Sequence, residues 1–108
     1  MRKIAVLAEA FHIRTAWHGP GDISPIAHAV NVHLDLAIPN FGIQEMVFFP
    51  DRVCEVFSGG PTGEDGSLRV SDVPGLGVEI DEAAAAKYPY KRAYLPTLRR
   101  PDGTVHDW

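Results

Sequence analysis

The chain has 108 residues, 45% hydrophobic and 22% charged, the balance of one soluble globular domain at most. Ten basic against fourteen acidic side chains leave a net charge of -4, which argues against a nucleic-acid groove or a polybasic membrane patch. Its one cysteine, Cys54, excludes an internal disulfide and a multi-cysteine metal site, and no stretch reads as a bilayer span, so a reducing, cytoplasmic setting is expected.

Residues 2–11 predict a helix, with Ile4, Leu7, Ala8 and Phe11 recurring at i, i+3, i+4 and i+7. Residues 12–17 read as a short strand rich in good strand formers (Ile13, Thr15, Trp17), ended by His18-Gly19-Pro20-Gly21-Asp22. Ser24-Pro25 marks a helix start, with Ser24 as N-cap and Pro25 in the first turn. The helix over 25–37 would pack through Ile26, Val30, Leu34 and Ala37. Residues 41–45 read as a second strand.

Two strands separated by a helix of this length imply a parallel βαβ unit. A parallel sheet needs flanking strands to bury both faces, so this half reads as a piece of something larger. The expectation is therefore an α/β fold.

Beyond residue 48 the pattern changes. Residues 53–57 predict a strand with a hairpin partner at 67–71, and 59–66 form the loop between. Cys54 would then be a buried structural thiol. Residues 72–77 are rich in turn formers. Asp81 caps a short alanine helix over 82–87, and 89–96 read as extended, with Tyr88, Tyr90 and Tyr94 along that stretch. Asp102-Gly103 is a tight turn.

Several chemical constellations are weak. His28 and His33 lie five apart, off the i, i+4 spacing of a zinc pair. Ser24 serves better as a cap than as a nucleophile beside His18 and Asp22. The glycine run 59–63 lacks the Lys-Ser/Thr of a phosphate loop. Lys91-Arg92 and Arg99-Arg100 read as surface contacts rather than an anion site.

Thr15-Ala16-Trp17-His18-Gly19-Pro20-Gly21-Asp22 and Ile38-Pro39-Asn40-Phe41-Gly42-Ile43-Gln44-Glu45 resemble the C-terminal part of the enolase superfamily, in its mannonate dehydratase group of mandelate-racemase-like enzymes. Pro74-Gly75-Leu76-Gly77-Val78-Glu79-Ile80-Asp81, the segment 88–96, Asp102-Gly103-Thr104 and Trp108 extend the resemblance over essentially the whole chain. The first of these runs occurs widely in the superfamily. The Pro-Asn-Phe-Gly-Ile-Gln-Glu segment and the closing tail are more specific.

The resemblance implies a (β/α)7β barrel with an N-terminal capping domain. A barrel of this type needs about 250 residues. The implied piece is a partial TIM-type barrel: residues 1–48 as its last two strands and helices, and 49–108 as an irregular tail packed on barrel and cap. The implied activity is a Mg2+-dependent dehydratase acting on a sugar acid of the mannonate or gluconate class. The family's metal carboxylates, its base and its leaving-group acid lie on strands that precede this segment, so no Mg2+ ligand is carried over.

His18 is the best remaining candidate for catalysis and substrate binding, since it follows a strand at the face where barrels place their sites. It would bond a substrate hydroxyl or share in acid catalysis; otherwise it is a hydrogen-bonded loop histidine. Glu45 ends the next strand in the same way and would accept bonds from sugar hydroxyls, or stand solvated. Asp22 would orient substrate or His18, or cap its loop. Trp108 would cover the pocket, or anchor the tail by packing. The expected partners are the remainder of the barrel or a second copy, without which dehydration by these residues is not expected. The alternative is a non-catalytic module that works by association.

Overall fold

A computed structural model of the chain describes residues 1–92 and 98–105. Helix α1 covers Arg2–Ala10. It closes with the His12 N–H on the Glu9 carbonyl and the Ile13 N–H on the Ala8 carbonyl. His12 sits at φ +57°, the left-handed position at which helices usually place glycine. Strand β1, Thr15–Trp17, follows. The Ser24 hydroxyl caps α2, Pro25–Ala37, by accepting the Ala27 N–H, as the Ser-Pro pair predicts.

Strand β2, Phe41–Gln44, lies parallel to β1 and completes the expected βαβ unit. Its register is uneven. Thr15 pairs with Phe41, but Ala16 pairs with Ile43 and Trp17 with Gln44, so β2 takes Gly42 as an extra residue. A Cβ on Gly42 would lie 2.7 Å from the Thr15 carbonyl oxygen, which leaves room only for glycine. Asn40 fixes the start of β2 by donating to the carbonyls of Ala5 and Ile13.

The helices bury different faces from those expected. On α1 only Ala5 is buried, while Ile4, Leu7 and Phe11 stand about two-thirds exposed (60%, 63% and 69%). On α2 the buried residues are His28, Ala29, Asn31, Val32 and Asp35, not the Ile26–Val30–Leu34 side. This helix is apolar on more than one side, and the described chain covers only the side facing the sheet and the tail.

The tail departs further from expectation. Residues 51–56 form a helix, α3 (Asp51–Val56), rather than a strand. Pro50 sets its start: its carbonyl accepts the N–H groups of Val53 and Cys54, and Asp51 favours the positive helix end. Cys54 is consequently exposed, not buried. Strand β3, Phe57–Gly59, pairs antiparallel with β6, Val78–Ile80. The expected 67–71 strand is instead β5, Ser67–Arg69, and its partner is β4, Thr62–Glu64, inside the expected loop. The short helix α4, Glu82–Ala85, is capped by Asp81 as predicted, through the Ala84 N–H. Phe49 packs edge-on against His28 with ring centres 5.1 Å apart, which ties the start of the tail to α2. Residues 93–97 of the expected extended segment, with Tyr94 and Pro96, lie outside the described residues. Among the described residues no helix is long and apolar enough to cross a membrane.

Candidate functional site

Two parallel strands deliver their C-terminal ends to the same edge of a sheet. His18 follows β1 and Glu45 follows β2, and the register places them side by side. The His18 Nε2 lies 3.5 Å from the Glu45 Oε2, with the side chains 78% and 53% exposed. The same Glu45 oxygen accepts the Gly19 N–H at 2.8 Å, which fixes the carboxylate against the loop after β1.

Three residues hold this arrangement from behind. Asn31, buried on α2, donates from Nδ2 to the His18 carbonyl at 3.3 Å. Gln44 donates from Nε2 to the carbonyls of Trp17, at 3.2 Å, and Glu45, at 2.6 Å, bridging the two strand ends. Gly19 is buried so tightly that a Cβ there would lie 2.2 Å from the Glu45 carbonyl oxygen. Residues Ala16 to His18 and Ile43 to Glu45 line an open groove of about 420 Å3.

An imidazole beside a carboxylate offers a donor and several acceptors within one groove. That set suits a ligand rich in hydroxyl groups, which presents both functions on adjacent carbons. Among the described residues no three of His, Cys, Asp and Glu converge on a point that could hold a metal ion.

Of the residues singled out from the sequence, the structure brings His18 and Glu45 together. Asp22 lies exposed in the turn before Ser24, with no hydrogen bond or ion pair to either. Trp108 lies outside the described residues. Sequence reasoning missed Asn31 and Gln44. The available signals were a polar residue inside an apolar helix and an amide next to the candidate carboxylate.

Strand ends of this kind, with a polar pair at the carboxyl edge, characterise α/β enzyme domains. Residues 1–84 match the family described as enolase C-terminal domain-like, and the chain belongs to that family. It is 51% identical over 108 residues to a D-galactonate dehydratase family member of Streptomyces bingchenggensis, covering 100% of this chain and 26% of that protein. It is 48% identical over the same length to a D-mannonate dehydratase of a Caulobacter species, covering 27% of it. Among solved structures, an enolase from Pantoea ananatis with bound D-gluconate and Mg superposes with a TM-score of 0.87 at 51% identity, over 95% of this chain and 25% of that one. A putative galactarate dehydratase from Agrobacterium radiobacter, with Na and L-malate bound, gives 0.79 at 32% identity, over 97% of this chain and 30% of that one. The chain thus spans about a quarter of the length of the curated relatives it matches.

Proposed function

We propose that the chain contributes the last two β/α units of a partial TIM-type barrel, residues 1–48, and a packing tail, residues 49–108, to an acid-sugar dehydratase. The reaction removes the proton beside a sugar-acid carboxylate and expels the β-hydroxyl as water, on a substrate of the mannonate or gluconate class. The convergence of His18 and Glu45 at the carboxyl ends of adjacent parallel strands carries this reading. His18 donates a hydrogen bond or a proton to a substrate hydroxyl. Glu45 accepts bonds from neighbouring hydroxyls while the Gly19 N–H holds it in place. Asp22 and Trp108 are assigned lesser parts, orienting the substrate and covering it.

The Mg2+ bound in a structural relative does not fit the described residues, which bring no ligand set together. Those ligands are assigned to residues beyond the described ones, and the 108 residues alone are expected to be inactive.

In the polypeptide that holds the complete metal site, His18→Asn and Glu45→Gln are each expected to lower kcat/KM for D-mannonate or D-gluconate at least about tenfold, the low end for a lost hydrogen bond to a charged group. Formation of the 2-keto acid is the readout. Full turnover by both variants would remove the pair from the reaction. The exposed Ile4, Leu7, Phe11 and Ile43 also favour a second reading, a non-catalytic module that works by association. Wild-type turnover in the complete polypeptide would exclude it.

A further inference from the structure

Helix α2 meets the loop after β1 at two residues one turn apart, His28 and Asn31. Asn31 Nδ2 donates to the His18 carbonyl at 3.3 Å. The other end of that peptide unit, the Gly19 N–H, donates to Glu45 Oε2 at 2.8 Å. One peptide plane therefore links the helix to the candidate carboxylate. His28 closes the space behind it, with Cε1 2.9 Å from the point that a Cβ on Gly19 would occupy.

His28 is only 4% exposed, and its Nε2 has no hydrogen-bond partner among the described residues. A buried nitrogen of this kind is costly, and packing rather than a bond at Nε2 holds the ring. Phe49 stands edge-on to it with ring centres 5.1 Å apart. Pro25, Met46, Gly60 and Leu68 bound a cavity of about 50 Å3 beside both rings. Phe49 and Gly60 belong to the tail, so the tail decides where the imidazole stands.

We propose that His28 is a positioning residue through which the tail holds Glu45 beside His18. Phe49 keeps the imidazole against Gly19, and the imidazole keeps the 18–19 peptide from turning away from β2. The Gly19 N–H then stays aimed at the carboxylate. A hydrogen bond to a charged acceptor is strong only when it is short and aligned, so a small retreat of this peptide releases Glu45. The tail is thereby part of the site's construction, although none of its described residues lines the groove. The inference rests on the dehydratase reading only for the use made of Glu45.

The test is amide hydrogen exchange at Gly19 in the 108-residue chain, with the Thr15 N–H, bonded to the Asn40 carbonyl, as reference in the same unit. His28→Ala is expected to speed exchange at Gly19 at least about tenfold more than at Thr15, as local opening does and general loss of stability does not. Phe49→Ala should act in the same direction, and should add nothing once His28 is alanine. His28→Phe should restore protection, because it keeps a ring against Gly19 and the adjoining cavity accepts the larger side chain. If His28→Ala fails to fold, Phe49→Ala alone decides. Equal acceleration at both amides, an unchanged Gly19 rate, or full additivity of the two alanine variants would overturn the proposal. Selective exchange in His28→Ala with full sugar-acid turnover in the polypeptide that holds the complete metal site would uphold the positioning role and count against Glu45 in the reaction, so the two readings fail separately.

Discussion

A methyl group on Gly19 would meet the Glu45 carbonyl oxygen at 2.2 Å and Cε1 of His28 at 2.9 Å. The first contact is with backbone held in a strand end, which cannot swing aside. Gly19→Ala is therefore expected to part the two strand ends and break the Gly19 N–H bond to Glu45. The expected cost is about 1–3 kcal/mol, the range for overpacking, read from thermal unfolding. A melting temperature equal to wild type would show that the loop relaxes freely and leaves the site unconstrained. At this scale the sequence was partly legible. That His18 and Glu45 each follow a strand was visible in residue pattern, while their candidacy as substrate contacts came from the family resemblance. Asn31 and Gln44 could not be found, because their value comes from which carbonyl lies across a turn or a strand, and spacing along one chain does not record that. Cys54 was misplaced for a related reason, since its burial followed from a strand that is in fact a helix.

Helices α3 and α4 are clamped by one exposed group. The Glu55 carboxylate accepts hydrogen bonds from Lys87 Nζ and Tyr88 Oη. These bonds hold Glu55 below its ordinary 4.5, Lys87 above 10.5 and Tyr88 above 10.0. A lowered acid stabilises the fold above its unfolded value and loses that effect as pH falls through the folded one. A raised lysine or tyrosine stabilises below its unfolded value and loses that effect as pH rises through the folded one. The clamp is therefore expected to work at full strength between about pH 4.5 and 10. Melting curves should show wild type slightly above Glu55→Gln inside that window, with the two converging outside it. The effect is small because all three groups face water. A constant difference at every pH would mean that the substitution acts through packing. The elements themselves divide by length. The long amphipathic or capped segments, α1 and α2, were readable. In the tail the strand at Ser67–Arg69 was readable but its partner was not, and α3 was read as a strand, because a run such as Val53-Cys54-Glu55-Val56-Phe57 fits either period and its partners decide.

The chain exposes 8765 Å2, against roughly 5,900 Å2 for a compact monomer of its mass. Its radius of gyration is 17.4 Å, against about 13 Å for a compact domain of this length. Among the described residues the buried hydrophobics are Ala5, Ala29, Val32, Val56 and Ala84, and none of the larger side chains is fully buried. A core this small leaves little to offset conformational entropy. The molecule is expected to gain stability only when Leu7, Phe11 and their neighbours are covered. Sedimentation of the isolated chain should show concentration-dependent association, reduced by the double substitution L7E/F11E with the helical circular dichroism retained. A monomer that melts cooperatively at every concentration would contradict this. The incompleteness of the sheet was legible from two strands and one crossover. The size of the uncovered surface was not, because burial depends on neighbours that the residue pattern does not name.

Between Phe41 and Ile43 the second strand spends one residue without a partner, and pairing resumes one step later. Evenly counted from Thr15 and Phe41, His18 would stand opposite Gln44, a neutral amide; with Gly42 inserted it stands opposite Glu45. Whether the histidine shares its groove with an anion is thus settled by arithmetic in the backbone. Were Gly42, which bears no functional group at all, to pair with Ala16 instead of being passed over, an amide would replace the carboxylate with no change in sequence, whereas deleting Gly42 would leave His18 opposite Glu45.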